Sequence, residues 1–398
     1  MTSLIKDQIA EVLVRWFQNR LRRSVSRVTL LDGPATSGFS SETLFARAEF
    51  DDGEAPLSRD VAIRVENPEP GLFLHGNFQL QWRMIDSMAS HTNIPVPAPI
   101  GYEPDPSILG TPFSVVSKIA GRVAPQIPNY NLAGWIFDLP CGDRERLWRN
   151  ALEALAAIHR VDWQRGFSFL DQPEYGRDGL DQLLHRVEEW YDWSRRGRVH
   201  PAVVVALERL RRFRPAKPHI GVLWGDAAPN NMIFGEDLTV AAVLDWEAAA
   251  LGPAEADLAW WLFYDDYLSN GLGIARLPGL PDRQSSIEIY ETALGRAVQS
   301  LEYYELLAHT RNAILSMRSV NRQVERGFIE PDTTAVTHNP ISRMLAVKLG
   351  IDPPEVGDDY AKYLRAVIGQ KTAAPMTPES SVAIPTVVEL LSPKKVLK

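Results

Sequence analysis

Cysteine is almost absent from this sequence, with one residue, Cys141, among 398. A single thiol cannot form an internal disulfide or a cysteine metal cluster. Disulfides form and persist in oxidising compartments, so a chain that cannot form one is more typical of an intracellular protein. We therefore expect a cytoplasmic location. The sequence also lacks a His or Cys cluster with metal-binding spacing, and Cys141 itself is expected to be inert.

Long apolar runs are missing as well. No segment approaches the roughly 18 apolar residues of a membrane-spanning helix, because charges interrupt every candidate. The formal net charge of −8 argues against a nucleic-acid partner, since phosphate backbones are bound through clustered Lys and Arg. The first 23 residues are amphipathic and rich in arginine, but Asp7 and Glu11 interrupt them. We therefore interpret this segment as a docking helix and not as a transit peptide.

What the sequence does contain is a pattern of acids and amides between residues 223 and 247. Asp226 is followed five residues later by Asn231, and Asp245 ends the next apolar run. Kinases use this order of an acid, an asparagine and a second acid for phosphoryl transfer. The first acid can deprotonate an attacking hydroxyl group, and oxygen atoms of the other two suit Mg²⁺. The pattern predicts Asp226 as the catalytic residue and Asn231 and Asp245 as metal ligands.

An ordinary turn is the simpler interpretation of the same residues, because Gly, Asp and Asn tolerate turn geometry. The spacing alone does not separate the two interpretations. Apolar segments at residues 220–224, 232–234 and 239–244 flank the pattern, however, and short β-rich segments bounded by turn residues are typical of strands. Both acids then stand at strand ends that face one cleft, which favours the functional interpretation.

Six segments carry a family resemblance, namely residues 38–43, 62–65, 94–97, 224–234, 243–247 and 251–260. In these segments the chain resembles the aminoglycoside phosphotransferase-like family of small-molecule kinases, and especially the branch of kinase domains fused to some acyl-CoA dehydrogenases. The resemblance covers most of residues 30–320. It implies an α+β, protein-kinase-like fold with two lobes, in which a small antiparallel β N-lobe precedes a larger, mostly helical C-lobe.

The periodicity of the apolar residues divides the chain in a compatible way. Spacings of three and four predict a helix within residues 1–26 that docks on the small lobe. Short β-rich segments in residues 27–116 predict the sheet of a nucleotide-binding N-lobe. Helical periodicity in residues 117–370 predicts a catalytic and acceptor-binding C-lobe. The composition of residues 371–398 predicts a mobile tail.

The resemblance implies an ATP site in the N-lobe. Gly38, Ser40 and Ser41 would lie in a loop over the phosphates, although without the resemblance this segment would be interpreted as an ordinary hairpin loop. Arg64 takes the strand position at which kinases place a phosphate-binding lysine. Arginine is permanently charged and can form two hydrogen bonds to phosphate oxygens, so it can still perform that task.

Three further residues complete the implied nucleotide site. Gln81 stands where the family usually has a glutamate, so it could orient Arg64 but could not neutralise its charge. Ser117 and Ile119 lie in the segment that would form the hinge, where backbone groups meet adenine. The missing carboxylate at position 81 predicts weaker preorganisation of Arg64.

Other polar and aromatic residues have structural interpretations. Trp224 replaces a histidine of the family pattern, so the hydrogen bonds of that histidine must come from elsewhere. The resemblance implies that Asp257 supports the acid-bearing loop, and His159 is expected to be a structural hydrogen-bonding residue. Trp190 and Tyr191 are expected in the core, because adjacent helical positions face different directions and cannot form one aromatic cage.

These observations predict an enzyme that uses ATP and Mg²⁺ to phosphorylate a hydroxyl group of a small molecule. The acceptor is a metabolite, possibly a hydroxy-acyl compound, or an antibiotic, since fold-level analogy does not fix a substrate. Two alternatives stay open: a nucleotide-binding pseudokinase without turnover, and a scaffold that retains only the fold. The sequence does not indicate an oligomeric state.

Overall fold

The computed structural model describes residues 3–20, 22, 24–31, 36–37, 41–51, 57–67 and 69–372. Helices α1 to α10 are Ser3–Arg20, Phe78–His91, Cys141–His159, Gly179–Arg195, Pro201–Arg212, Glu255–Leu268, Arg283–Leu294, Leu301–Glu325, Pro340–Leu349 and Asp358–Thr372. Strands β1 to β11 are Val25–Leu30, Thr36–Ser37, Ser41–Phe50, Leu57–Glu66, Pro99–Glu103, Phe113–Ser117, Arg122–Val123, Ile220–Leu223, Met232–Phe234, Val240–Val243 and Ala250–Pro253.

The N-terminal part is an antiparallel sheet with strand order β1-β3-β4-β6-β5, and β2 pairs with β3. Side chains alternate across its central strand β4, as the period of two requires. Val61 and Ile63 pack in one apolar cluster with α1, whereas Ala62 packs in another cluster with α2. Arg64 lies opposite Ser114 of β6 in this register. The pairing of β4 with β6 therefore fixes the position of Arg64 along the sheet.

Helix α1 docks on this sheet, as its apolar spacing predicts. Leu13, Trp16 and Phe17 are buried in the cluster of the sheet. Trp16 Nε1 donates a hydrogen bond to Glu103 Oε2 at 3.0 Å, and Arg20 forms an ion pair with the same buried carboxylate. The helix is thus held by apolar packing and by a satisfied buried acid, which would be costly without partners.

The C-terminal part is mainly helical. Helices α3, α6 and α7 share one apolar core with β9 and β10, and helices α4, α5, α8 and α9 share a second core. Two small antiparallel sheets, β10-β9-β7 and β11-β8, lie among these helices. Trp190 and Tyr191 are buried in the second core, so their predicted packing role is confirmed.

The helix predicted within residues 1–26 is α1, Ser3–Arg20. Helix α10 ends at Thr372, just inside the predicted tail, and residues 373–398 lie outside the described part of the chain. Gly38 and Ser40 also lie outside it, while Ser41 begins β3. Among the described helices, none combines the length and apolar character that crossing a membrane requires.

A buried histidine makes the stability of this fold depend on pH. His200 precedes α5, where its Nε2 atom lies 2.9 Å from Ser342 Oγ of α9. Burial lowers the pKa of His200 to about 4. In the unfolded chain the pKa is about 6.5. As the pH falls below about 6.5, His200 becomes protonated in the unfolded state but stays neutral in the folded state. The folded state therefore loses stability.

We expect the free energy of unfolding to fall by about 2 kcal/mol between pH 7 and pH 5 because of His200. Urea denaturation at the two pH values measures the change. His200→Gln should remove this part of the pH dependence, whereas His219→Gln, a change at an exposed histidine, should leave it intact. An equal loss of stability in the wild type and in His200→Gln would contradict this account.

Candidate active site

The three residues of the acid and amide pattern converge because two loops are tied together. The acid loop, residues 224–231, connects β8 to β9 and ends in a 3₁₀ turn at Pro229–Asn231. Strand β9 pairs with β10, and beyond this pairing Leu244 N donates to Asn231 O at 2.8 Å. Asp245 follows in a left-handed conformation with φ 54°. This tie brings the end of the acid loop next to Asp245.

A buried carboxylate, Asp257 of α6, holds the start of the acid loop. It accepts hydrogen bonds from Trp224 N at 2.6 Å and from Gly225 N at 3.1 Å. His159 of α3 places Nε2 at 3.1 Å from the same carboxylate and Nδ1 at 2.6 Å from the Tyr290 hydroxyl. These contacts agree with the structural roles expected for Asp257 and His159.

Trp224 itself supplies a further tie. Its side chain is completely buried, and Nε1 donates to Leu244 O at 2.7 Å. Leu244 immediately precedes Asp245, so the indole connects the two acid-bearing segments. Its one side-chain donor therefore ties the acid loop to the segment that carries Asp245.

Asp226 has both carboxylate oxygens hydrogen-bonded. Trp260 Nε1 of α6 donates to Oδ1 at 3.0 Å, and Asn231 Nδ2 donates to Oδ2 at 2.8 Å. Burial and, to a smaller extent, the charge of Asp245 raise the pKa of Asp226 to about 6, although the hydrogen bonds from Asn231 and Trp260 oppose this shift. A carboxyl group with a pKa close to neutral can accept a proton more readily than an ordinary aspartate.

Arg64 reaches this site from the N-terminal sheet. Its guanidinium NH2 forms an ion pair of 2.8 Å with Asp245 Oδ1. Gln81 of α2 is buried, and its Oε1 atom accepts no hydrogen bond. Arg64 thus contacts the second acid, and the carbonyl of Gln81 does not orient it.

The predicted hinge lies at the end of β6. Ser117 N donates to Ala98 O at 2.9 Å, and Ser117 Oγ accepts from Ala98 N at 2.8 Å. The amide of Ser117 is therefore already used. In the described part of the chain the backbone of Ile119 has no hydrogen-bond partner, so Ile119 is the better candidate for a contact with adenine.

The oxygen atoms near Asp245 suit a magnesium ion. Asn231 directs its amide nitrogen to Asp226, which leaves Oδ1 for another contact, at present with Asn230 Nδ2 at 2.8 Å. Asn230 Oδ1 is buried without a hydrogen-bond partner. Carboxylate and amide oxygens are ligands that Mg²⁺ accepts, so the residues fit this ion. No group of three or more His, Cys, Asp and Glu side chains in the described residues forms a separate metal site.

These side chains open into one cavity of about 500 Å³. At one end it is lined by the predicted site residues Arg64, Asp226, Asn231 and Asp245. Helices α6, α8, α9 and α10 line much of the rest, and the connecting segments contribute Asn67, Leu72, Phe73, Gln126, Asn230 and Glu247. The described lining does not include Gln81, Ser117 or Ile119. The structure therefore joins the acid and amide residues with Arg64 and leaves the hinge residues outside this cavity.

Sequence reasoning missed several residues of the site. Asn230, Trp260 and Arg311 were not predicted as functional, although Arg311 is a charged residue in the apolar periodicity of α8, which was an available signal. Arg311 NH2 donates to Gly225 O at 2.8 Å. For Trp260 no local signal existed, because it lies 34 residues from Asp226 in the chain.

Comparison with known proteins identifies the family. A model of the phosphotransferase enzyme family, APH, matches residues 69–286, which is more than half of the chain. The protein belongs to this family. Membership of a phosphotransferase enzyme family agrees with the predicted enzyme class.

One curated relative is named as an acyl-CoA dehydrogenase. Acyl-CoA dehydrogenase family member 10 of Mus musculus is 29% identical over 185 residues, which make up 45% of this chain and 16% of that protein. The alignment therefore spans less than a fifth of that relative's length. This match agrees with the resemblance to kinase domains that are fused to some acyl-CoA dehydrogenases.

Solved structures share the fold. A candidate aminoglycoside phosphotransferase from Ralstonia eutropha JMP134 has a TM-score of 0.61 at 19% identity, over 90% of this chain and 98% of the other. A thermostable mutant of aminoglycoside phosphotransferase APH(4)-Ia, in complex with AMP-PNP and hygromycin B, has a TM-score of 0.52 at 15% identity, over 87% and 99%. The predicted two-lobed, protein-kinase-like fold is confirmed.

The acid loop turns at a glycine, Gly225. Gly225 has φ +89°, and a Cβ atom there would collide with the carbonyl of Ala248. We expect Gly225→Ala to lower the free energy of unfolding by roughly 3 kcal/mol or more, because a clash adds to backbone strain. Urea denaturation measures the loss.

Gly197→Ala is the matched control for this prediction. Gly197 has φ +80°, but an added Cβ would meet nothing within 4 Å. Its cost should be only the left-handed strain of about 1 kcal/mol. Equal costs at the two glycines would show that contact with Ala248 does not constrain the loop.

Proposed function

We propose that this protein transfers the γ-phosphoryl group of ATP to a hydroxyl group of a small molecule in the presence of Mg²⁺, with Asp226 as the catalytic residue. The observation that carries the proposal is the position of Asp226. Its carboxylate is fixed by Asn231 and Trp260 and faces a cavity that Arg64 and Asp245 also line. An acid held in place beside oxygen atoms that could bind Mg²⁺ fits phosphoryl transfer, in which positioning and charge stabilisation supply most of the catalysis.

In this proposal each residue has a separate task. Asp226 accepts the proton of the acceptor hydroxyl group and orients its oxygen for attack. Asn231 Oδ1 and the Asp245 carboxylate would hold Mg²⁺, with Asn230 Oδ1 close by. Arg64 would exchange its present contact with Asp245 for phosphate oxygens, which a guanidinium binds well. When bound, MgATP supplies the phosphoryl group and the positive charge that stabilises its transfer.

The choice of ATP has support from a protein of the same fold. The APH(4)-Ia complex contains AMP-PNP, an analogue of ATP, and hygromycin B. In our proposal this chain binds the same class of nucleotide. Its phosphates would lie against the segment containing Gly38, Ser40 and Ser41, and its base would lie beside the hinge at Ser117 and Ile119. The first three side chains lie outside what the structure describes, so their contact with phosphate stays a prediction.

The far end of the cavity supports an acceptor with an apolar body and a negative charge. The described residues that line it from α8 to α10 include no carboxylate, and they are Leu315, Ser316, Ser319, Arg322, Arg326, Ile341, Tyr360, Tyr363, Leu364 and Val367. Glu69 pairs with both arginines. A polycationic antibiotic would meet positive charge here, whereas a hydroxylated carboxylate, such as a hydroxy-acyl compound, would meet complementary charge.

The central prediction concerns the acid. We expect Asp226→Asn to reduce phosphoryl transfer at least about a hundredfold, because proton abstraction by a positioned base contributes that much. ATP binding should be retained. Asp245→Asn should instead weaken the binding of ATP in the presence of Mg²⁺. ATP consumption over a panel of hydroxylated acids, CoA esters, amino alcohols and antibiotics, together with calorimetric ATP titration, measures both effects.

Asp266→Asn, which changes an exposed acid of α6, is the control for these variants and should behave as the wild type. Full turnover in Asp226→Asn would exclude this residue as the base. ATP binding by the wild type without turnover of any acceptor would instead favour the pseudokinase alternative.

A second prediction concerns the charge of the acceptor. Arg326→Gln should raise the KM for an anionic acceptor several-fold, because one ionic hydrogen bond is lost. Glu69→Gln should lower it, since Glu69 competes for Arg322 and Arg326. Arg343→Gln, at an exposed arginine outside the cavity, is the control. Steady-state kinetics with acceptors of either charge test the pair, and parallel changes in both variants would contradict the proposal.

A further inference from the structure

Arg311 is a buried cation whose surroundings need an explanation. It lies in the middle of α8 with 4% of its surface exposed. Its NH2 group donates to Gly225 O, but NH1 has no hydrogen-bond partner. Among the described residues no carboxylate forms a direct ion pair with it. Leaving a cation buried in this way is expensive, and an apolar residue of similar volume would often be more stable.

The guanidinium lies against the face of Trp260. The distance from its carbon atom to the ring is 4.4 Å, which is within the range of a cation–π contact. Trp260 is itself 1% exposed, and its single donor, Nε1, is directed at Asp226 Oδ1. A positive charge on the ring face draws electron density from the indole and strengthens its N–H group as a donor.

Arg311 also holds the backbone of Gly225, the residue that precedes Asp226. The Gly225 amide is held by Asp257 and the Gly225 carbonyl by Arg311. Both ends of this one residue are therefore fixed by buried charges of opposite sign. Asp226 follows directly, so any movement of Arg311 would displace both the backbone and, through Trp260, the carboxylate of the acid.

We propose that Arg311 and Trp260 act together as positioning residues for Asp226, with the indole N–H holding Oδ1 and the guanidinium supporting both the indole and the acid loop from behind. This inference rests on the proposed function, because it assigns the two residues to the orientation of the catalytic acid. Asn231 holds Oδ2, so the two donors together fix the plane of the carboxylate that faces the acceptor hydroxyl group.

The chain contains a matched control for each residue. Trp261 is the next residue of α6 and is equally buried, but its Nε1 atom has no hydrogen-bond partner. Arg318 lies two turns after Arg311 on α8 and stacks on Trp193 at 4.3 Å, where it pairs with Glu325. Trp261→Phe and Arg318→Lys therefore make the same chemical changes at similar burial, at side chains that form no hydrogen bond with the acid loop in the described part of the chain.

The first test does not require an acceptor. The indole ¹H–¹⁵N resonance of Trp260, assigned by its loss in Trp260→Phe, should shift in Asp226→Asn and in Arg311→Lys but stay in place in Arg318→Lys. The resonance of Trp261 should stay in place in all three variants. A Trp260 resonance that is unchanged in Asp226→Asn or in Arg311→Lys would overturn the connection, even if the enzyme proved to be an active kinase.

The second test uses ATP consumption with the acceptor that the panel identifies. Trp260→Phe should lower kcat roughly tenfold or more, since a hydrogen bond to a charged group is lost, while the KM for ATP changes less than twofold. Trp261→Phe should leave kcat unchanged. Arg311→Lys, which retains the charge, should lower kcat less than Trp260→Phe does.

Equal kinetic effects of Trp260→Phe and Trp261→Phe would overturn the positioning role and reduce it to packing. A panel without turnover would instead count against the proposed function, and the resonance shifts would then decide the connection by themselves. The failure of the inference and the failure of the proposed function are thus separate results.

Discussion

The structure around the candidate site depends on one buried carboxylate. Asp257 receives the amides of Trp224 and Gly225 and also contacts His159, so it joins α6, α3 and the start of the acid loop. A buried acid is tolerated only when its oxygens are satisfied, and this one is satisfied mainly by backbone amides. Those amides can reach it only if the chain turns sharply at Gly225. The position of Asp226 is therefore a consequence of satisfying the hydrogen-bonding capacity of Asp257 in the core.

The second segment of the site is attached to the first by hydrogen bonds that leave little freedom. The indole of Trp224 donates to Leu244 O, and Leu244 N donates to Asn231 O. Asp245 is thus fixed relative to Asp226, and the repulsion between their charges contributes to the raised pKa of Asp226. The ion pair between Arg64 and Asp245 compensates part of that charge from the other lobe. In our proposal, Mg²⁺ would take the place of Arg64 beside Asp245, and phosphate oxygens would take the place of Asp245 beside Arg64.

Much of the fold was predictable, for a local reason. Helices repeat every 3.6 residues and strands every two, so the spacing of the apolar residues predicted a β-rich N-terminal part and a mainly helical C-terminal part. Asp226 and Asn231 belong to one short loop, and Asp245 follows the next strand, so their proximity also follows from sequence. Trp260 and Arg311 could not be predicted as partners of Asp226, because they lie 34 residues from Asp226 and 86 residues from Gly225. Which side chains meet across such distances depends on how α6 and α8 pack.

The sequence by itself therefore determined the chemical groups, their order and the family, since these reside in short segments whose residues are neighbours in the chain. The tertiary structure decided which partner each group meets. It paired Arg64 with Asp245 and left the Gln81 carbonyl without a hydrogen bond, and it placed an indole against the acid and a cation behind that indole. The physical reason is that hydrogen bonds and ion pairs act over a few ångströms in space. Only packing determines which residues come that close.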